Sequence, residues 1–244
     1  SELTRPGDMQ SEGGDASSGQ PPPLPVLTVA VFSKDRPFQV MNALASLLQH
    51  VTGVVLQVYV LFRATTAQFA DSYKFVQALF GSGCSDGEVP AAQESSGCRN
   101  NWRVEWLEET DANKLGSLLE KVIAAAEEAA SSSAILFTVD DAFWFADFAA
   151  DIALKLLLDR EDVYAVHAKL SPRNEFAHPN SKLMRVPGLR MYASGRGQES
   201  EQPGALPPLL LFDRSQGEYD WNYPWELSAS LYRSTDVKEM LSTL

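Results

Sequence analysis

The chain is poor in the residues that most often declare a function. It has only two cysteines and three histidines among 244 residues. Cys84 and Cys98 bracket a loop rich in Gly, Ser and Glu, and no nearby His or further Cys completes a zinc ligand set. Two readings of the pair are open. A disulfide would stabilise by roughly 3 kcal/mol in the chain-entropy picture and place the chain in the Golgi or secretory lumen; free thiols would fit the cytoplasm. His50, His167 and His178 are too scattered for a catalytic triad or a zinc motif. No stretch approaches the roughly 18–20 unbroken apolar residues of a membrane span. The first residues lack the basic-then-apolar order of a secretory signal, and an anchor upstream of Ser1 is left open.

Positive charge is scarce as well. Twenty Lys and Arg against 32 Asp and Glu give a net charge of -12, so most of the surface repels a polynucleotide backbone. No phosphate-cradling glycine motif follows the first predicted strand, neither a P-loop nor Gly-x-Gly-x-x-Gly. No Gly-x-Ser-x-Gly elbow occurs either. These absences argue against a P-loop kinase, a Rossmann oxidoreductase and an α/β-hydrolase. The chain shows no internal repeat.

What is present is a β-α alternation. Residues 1–25, with Pro21-Pro22-Pro23 and almost no bulky apolar side chains, predict a disordered tail; residues 26–244 predict one domain. Val26 to Phe32 reads as a buried strand. Ser33-Lys34-Asp35-Arg36-Pro37 then turns the chain, with Asp35 as a helix N-cap and Pro37 in the first turn. Met41, Leu44, Ala45 and Leu48 predict an amphipathic helix to about Val51. Val54 to Phe62 returns to strand pattern, and Phe69, Tyr73, Val76 and Phe80 mark a second helix. Residues 81–101 form a polar insert. Arg103 to Leu107 predicts a strand, and Leu115, Leu118, Leu119, Val122 and Ile123 a helix. After the strand from Ala134, the residues Phe148, Ile152 and Leu156 predict a helix and Val163 to His167 a strand. Residues 171–208 are rich in Pro, Gly, Arg and Ser and predict a long loop over a ligand. Leu209 to Phe212 predicts an edge strand, and Ser234 to Leu244 a last helix. The alternation implies a three-layer α/β/α sandwich with a mainly parallel sheet.

Within it, Ala134 to Val139 is an apolar, β-favouring run that ends abruptly in Asp140 and Asp141. Acids at the carboxyl end of a covered strand project into the crevice where open α/β sheets bind ligands. Adjacent carboxylates repel unless a cation or proton relieves them, so a divalent metal is the natural guest. Asp141 lies furthest past the strand and is the preferred ligand, with Asp140 beside it.

Three stretches in order, Ser33 to Pro37, Asp140-Asp141 and Asp220-Trp221-Asn222-Tyr223-Pro224, resemble family-two-like glycosyltransferases of the GT-A fold. The likeness covers roughly residues 26–240. It implies that Phe32, Ser33, Asp35 and Arg36 border a nucleoside-diphosphate-sugar donor of UDP or GDP type. It implies further that Asp140 and Asp141 hold the metal, Mn²⁺ or Mg²⁺, that bridges to the diphosphate. Lys169, Arg173 and Asn174 follow the strand ending at His167 and would face phosphate or sugar. Asp220 to Glu226 would meet a saccharide or other hydroxyl acceptor, with Tyr223 as a ring platform and Trp221 and Trp225 as ring platforms or core anchors. Glu226 is the first candidate for general base and Asp220 the second, since inverting transfer needs a carboxylate to take the acceptor proton.

The sequence departs from the pattern at two places. Ala142 stands where relatives carry a third acid, and Leu227-Ser228-Ala229-Ser230 where they carry an Asp and a His. A catalytically impaired module that binds nucleotide, glycan or a partner enzyme is therefore the alternative. A nucleotidyltransferase is a third option, disfavoured by the absence of a Gly-rich basic loop after the first strand.

Overall fold

The computed structural model describes residues 23–81, 101–129, 133–177, 180–192, 209–223 and 225–243. Both cysteines and His178 lie outside these residues, as do most of the predicted tail and of the 81–101 insert.

The first half follows the alternation. Strand β1 (Val26–Lys34) leads to helix α1 (Pro37–His50), the short β2 (Val51–Thr52) and β3 (Val55–Arg63). Helix α2 (Ala67–Phe80), β4 (Trp102–Glu108), α3 (Leu115–Glu128) and β5 (Ala134–Val139) come next. The chain continues through β6 (Phe148–Ala149), α4 (Ala150–Asp159) and β7 (Val166–His167). Then come β8 (Phe176–Ala177), β9 (Lys182–Leu183), β10 (Leu189–Met191) and β11 (Leu210–Phe212), before β12 (Ser230–Arg233) and α5 (Ser234–Ser242).

The main sheet has six strands in the order β4-β3-β1-β5-β12-β7. Pairings among β4, β3, β1 and β5 are parallel, and β12 runs antiparallel to both β5 and β7. Leu27, Val29 and Val31 of β1 pack with Val40, Leu44, Leu47 and Tyr73 from α1 and α2, and with Leu154 and Leu157 of α4. Ala30 and Phe137 face the other way, onto Leu118, Val122 and Ile123 of α3 and Val237 of α5. Alternate β1 residues thus enter opposite layers, which is why Val26 to Phe32 is apolar but for Thr28. The three-layer, mainly parallel α/β architecture is the one expected.

Several local expectations need correction. The buried stripe of α1 is Val40, Ala43, Leu44 and Leu47, one residue earlier than the Met41, Leu44, Ala45, Leu48 spacing. Both stripes are apolar, and packing against β1 selects between them. Asp35 does not cap α1: Arg36 is the N-cap residue, with no side-chain cap hydrogen bond. Phe148 belongs to β6, which pairs with β2, rather than to α4. The Val163–His167 strand shortens to β7, and Leu210–Phe212 pairs with β10 in a separate two-stranded sheet instead of edging the main one.

Strand β12 was not foreseen, because four residues running directly into a helix carry too little periodicity. The tertiary structure secures it through Arg233, whose Nη1 donates to the Val163 carbonyl at 2.8 Å and whose Nη2 donates to the Leu157 and Arg160 carbonyls. A guanidinium on the last carbonyls of α4 satisfies groups the helix leaves open.

Between α1 and β3 the chain turns at Gly53, whose φ of 79° is in the left-handed region. A Cβ there would lie 2.3 Å from Asp151 Oδ1. Gly53→Ala is expected to lower stability by about 1 kcal/mol. The urea midpoint should fall with an unchanged slope.

Candidate functional site

Consecutive strands run outward from β1 in one direction to β3 and β4, and in the other to β5. The order therefore reverses between β1 and β5, the position where loops leaving the carboxyl ends of an open α/β sheet part and ligands bind. Asp140 and Asp141 occupy its β5 side. Pairing of β5 with β1 extends one step past the strand, since Asp140 N donates to the Phe32 carbonyl at 3.0 Å. Ala142 N then donates to the Val139 carbonyl at 3.1 Å, so the two aspartates are the central residues of a turn. Their environments differ: the Asp140 side chain is 7% exposed and that of Asp141 is 61% exposed. An enclosed carboxylate is costly without a compensating positive charge.

Arg36, from the β1 side, supplies that charge. Its Nη1 donates to Asp140 Oδ1 at 3.3 Å and to Asp141 Oδ2 at 3.0 Å. The nearby Asp140 carboxylate, with Asp141, raises the guanidinium pKa above its ordinary value.

The loop carrying Arg36 is held by partners that periodicity does not reveal. Asp35 adopts a φ of 56°, and its two carboxylate oxygens accept from Thr65 N and Thr65 Oγ1, each at 2.7 Å. The Thr65 backbone N–H holds the Asp35 carboxyl below the usual carboxylate range. Asp35 thereby ties the loop after β1 to the loop after β3. From α2, the fully buried Tyr73 places its hydroxyl 2.6 Å from Ser33 Oγ, where it also accepts from Arg36 N at 3.1 Å. The sequence marked Tyr73 only as a core position. Its one signal was a polar tip on a core-facing ring, which needs a partner when buried.

The other layer of the crevice is aromatic. Phe32 stacks on Phe137 with centroids 6.0 Å apart, and Trp225 stacks on Tyr232 at 4.2 Å while meeting Phe137 edge-on at 5.4 Å. Glu226 follows directly. One of its carboxylate oxygens forms an ion pair with Lys169 and the other accepts from Ser228 N at 2.8 Å. Partial burial pushes the Glu226 carboxyl up, but Lys169 and Ser228 outweigh it and hold the pKa below the ordinary value. Glu226 is thus a committed ion-pair partner, and the raised pKa that suits a general base is absent.

The remaining candidates are dispersed. Trp221 is 3% exposed, donates from Nε1 to the Asn174 carbonyl at 2.9 Å and meets Phe212 edge-on. Its ring belongs to a small cluster with Ala177 and Met184 rather than to an open surface. Asp220 is half-buried in the same turn, Tyr223 is exposed, and Arg173 is exposed in the turn after Ser171.

Among the described residues, no group of three or more His, Asp or Glu side chains is placed to hold a metal. The acid pair provides two ligand groups whose oxygens converge on one point, now marked by Arg36 Nη1. That donor set fits a hard divalent cation that takes its other ligands from substrate phosphates and water, as Mg²⁺ commonly does.

No protein-family model matches the chain. Its sequence is similar to the bifunctional glycosyltransferase pgtA of Dictyostelium discoideum, at 19% identity over 225 residues, or 88% of this chain. The chain spans about a quarter (25%) of the length of that curated relative. Among solved structures, it is similar to the mannosyltransferase PcManGT of Pyrobaculum calidifontis in complex with GDP-Man and Mn²⁺. The TM-score there is 0.41 and the identity 18%, with 63% of this chain and 38% of that one covered. It is also similar to 4-diphosphocytidyl-2C-methyl-D-erythritol synthase, at a TM-score of 0.41, 13% identity and coverage of 91% and 81%. The similarity in sequence is to a glycosyltransferase, the class that the Ser33, Asp140 and Asp220 stretches resemble. Among the described residues, no helix is long and apolar enough to cross a membrane.

Two predictions follow from the site. Tyr73→Phe leaves Ser33 Oγ and Arg36 N without their shared partner, and is expected to cost about 1–2 kcal/mol in chemical denaturation. The second concerns His167, whose Nδ1 lies 2.8 Å from Ser230 Oγ. Burial, aided by Lys169, lowers its pKa from 6.5 to about 4. The folded protein keeps this imidazole neutral while the unfolded chain protonates, so stability should fall as pH drops from 6.5 towards 4. The loss is on the order of 3 kcal/mol at most, and carboxylates contribute mainly below that window. His167→Gln should flatten the slope of unfolding free energy between pH 6.5 and 4.5; an unchanged slope would assign it elsewhere.

Proposed function

We propose that this chain is a metal-assisted glycosyltransferase domain that moves a sugar from a UDP- or GDP-type donor to a hydroxyl acceptor. The observation that carries the reading is the convergence of Asp140 and Asp141 on one cationic point at the switch between β1 and β5. A divalent cation bound there would act as a Lewis acid towards the departing diphosphate. On this reading Phe32, Ser33, Asp35 and Arg36 form the donor rim, with their backbone set by Thr65 and Tyr73. Fixed geometry of that kind lowers the entropic part of the barrier.

Lys169 and Arg173 would face phosphate or sugar of the donor, and Trp225 and Tyr223 would make ring contacts with the acceptor. The acceptor proton goes to Asp220 or Glu226. For Glu226 to serve, its ion pair with Lys169 must open first, because that pair lowers its affinity for a proton. Asp220, in the turn before Tyr223, is the other base.

A second reading has its own support. Ala142 stands where the motif has a further acid, and Arg36 already pairs with the remaining two. A module that binds nucleotide or glycan without turnover would keep this arrangement.

Thermal unfolding with UDP and with GDP, each with and without Mn²⁺, tests the proposal. One nucleotide is expected to raise Tm further when Mn²⁺ is present, reaching about 3 kcal/mol of linkage at a hundredfold excess over Kd. Asp141→Ala should abolish the metal-dependent part. Equal shifts with and without metal would remove the acid pair from the function. Nucleotide binding with neither donor hydrolysis nor transfer across an acceptor panel would select the second reading.

A further inference from the structure

Arg36 lies where a cation for the acid pair would go. A single nitrogen contacts carboxylate oxygens of both aspartates, at 3.3 and 3.0 Å, and the more buried partner is 7% exposed. The Arg36 backbone is pinned: its N–H donates to Tyr73, Pro37 follows at the start of α1, and Asp35 is stapled to Thr65. Its side chain, by contrast, is 50% exposed. The guanidinium can therefore rotate away without disturbing the loop or the core.

We propose that Arg36 is a resident counter-ion that competes with a divalent cation for Asp140 and Asp141, and that a nucleoside diphosphate relieves the competition by drawing the guanidinium onto its phosphates. This inference rests on the donor-site reading above. Two positive groups cannot share the point on which the oxygens converge, because they would repel at a few ångströms in a partly enclosed site. A diphosphate offers the planar guanidinium a better-matched, bidentate partner and supplies the remaining ligands of the metal. Metal and nucleotide then assist each other's binding by the same factor, as linkage requires. Between binding events the buried carboxylate is never left without a counter-charge.

The test compares wild type, Arg36→Gln and Arg36→Lys, with thermal unfolding to verify that each chain is folded. Mn²⁺ alone is titrated and followed by loss of the free-ion electron paramagnetic resonance signal. In parallel, retention of UDP and of GDP is measured by equilibrium dialysis with and without Mn²⁺. Wild type and Arg36→Lys should hold Mn²⁺ weakly, and Arg36→Gln about tenfold more tightly. The gain should vanish in the Arg36→Gln, Asp141→Ala double variant. Equal Mn²⁺ affinity in wild type and Arg36→Gln, with Mn²⁺-dependent nucleotide retention intact, would overturn the competition and leave the donor-site reading standing. A gain that survives Asp141→Ala would also overturn it, by locating the extra ion elsewhere. No nucleotide retained by any of the chains would overturn both.

Discussion

The enclosed charge of Asp140 is the constraint around which the crevice is organised. Enclosing a carboxylate with so little exposure, at the end of a central strand, is costly without a positive charge beside it. Arg36 meets it here, and it does so from the other side of the strand-order reversal. The interaction therefore bridges the loops after β1 and β5, one step beyond the backbone bond from Asp140 N to the Phe32 carbonyl. Asp141 shares the same guanidinium nitrogen, so the two carboxylates meet one cation as a group.

That group is aimed by a chain of supports that begins in the core. Tyr73 is anchored in the layer beneath α1 and α2, and its hydroxyl reaches Ser33 and the backbone of Arg36. Asp35, in a left-handed conformation that costs an ordinary residue about 1 kcal/mol or more, is held there by Thr65. Rigid backbone under a half-exposed guanidinium is the arrangement a site needs when one cation must give way to another. On the opposite layer, the Lys169–Glu226 pair and the Trp225–Tyr232 stack make a similarly fixed wall, with the neutral His167 behind it.

The order of the first seven long elements was legible because each carries its own periodicity. Strands β1, β3 and β5 are apolar on both faces, and α1, α2 and α3 show helical spacing. Legibility failed where a segment was too short to repeat. Strand β12 has only Ser230, Leu231, Tyr232 and Arg233, and what recruits it is the edge of β5 together with the open carbonyls of α4. The α1 stripe lies one residue from the expected spacing because Met41, Ala45 and Leu48 are apolar but sit outside the buried face.

For the site, the chain by itself determined that two aspartates end a buried strand, that a Ser-Lys-Asp-Arg-Pro turn ends another, and that aromatic residues cluster late. Those are facts of local order, set by residue type and spacing. Only the tertiary structure decided which of these groups meet. It put Arg36 on the acids, Asp35 on Thr65, Lys169 on Glu226 and Trp221 in the interior. Hydrogen bonds and ion pairs between residues far apart in sequence depend on strand order and loop direction. A one-dimensional pattern carries no information about either until the sheet has formed.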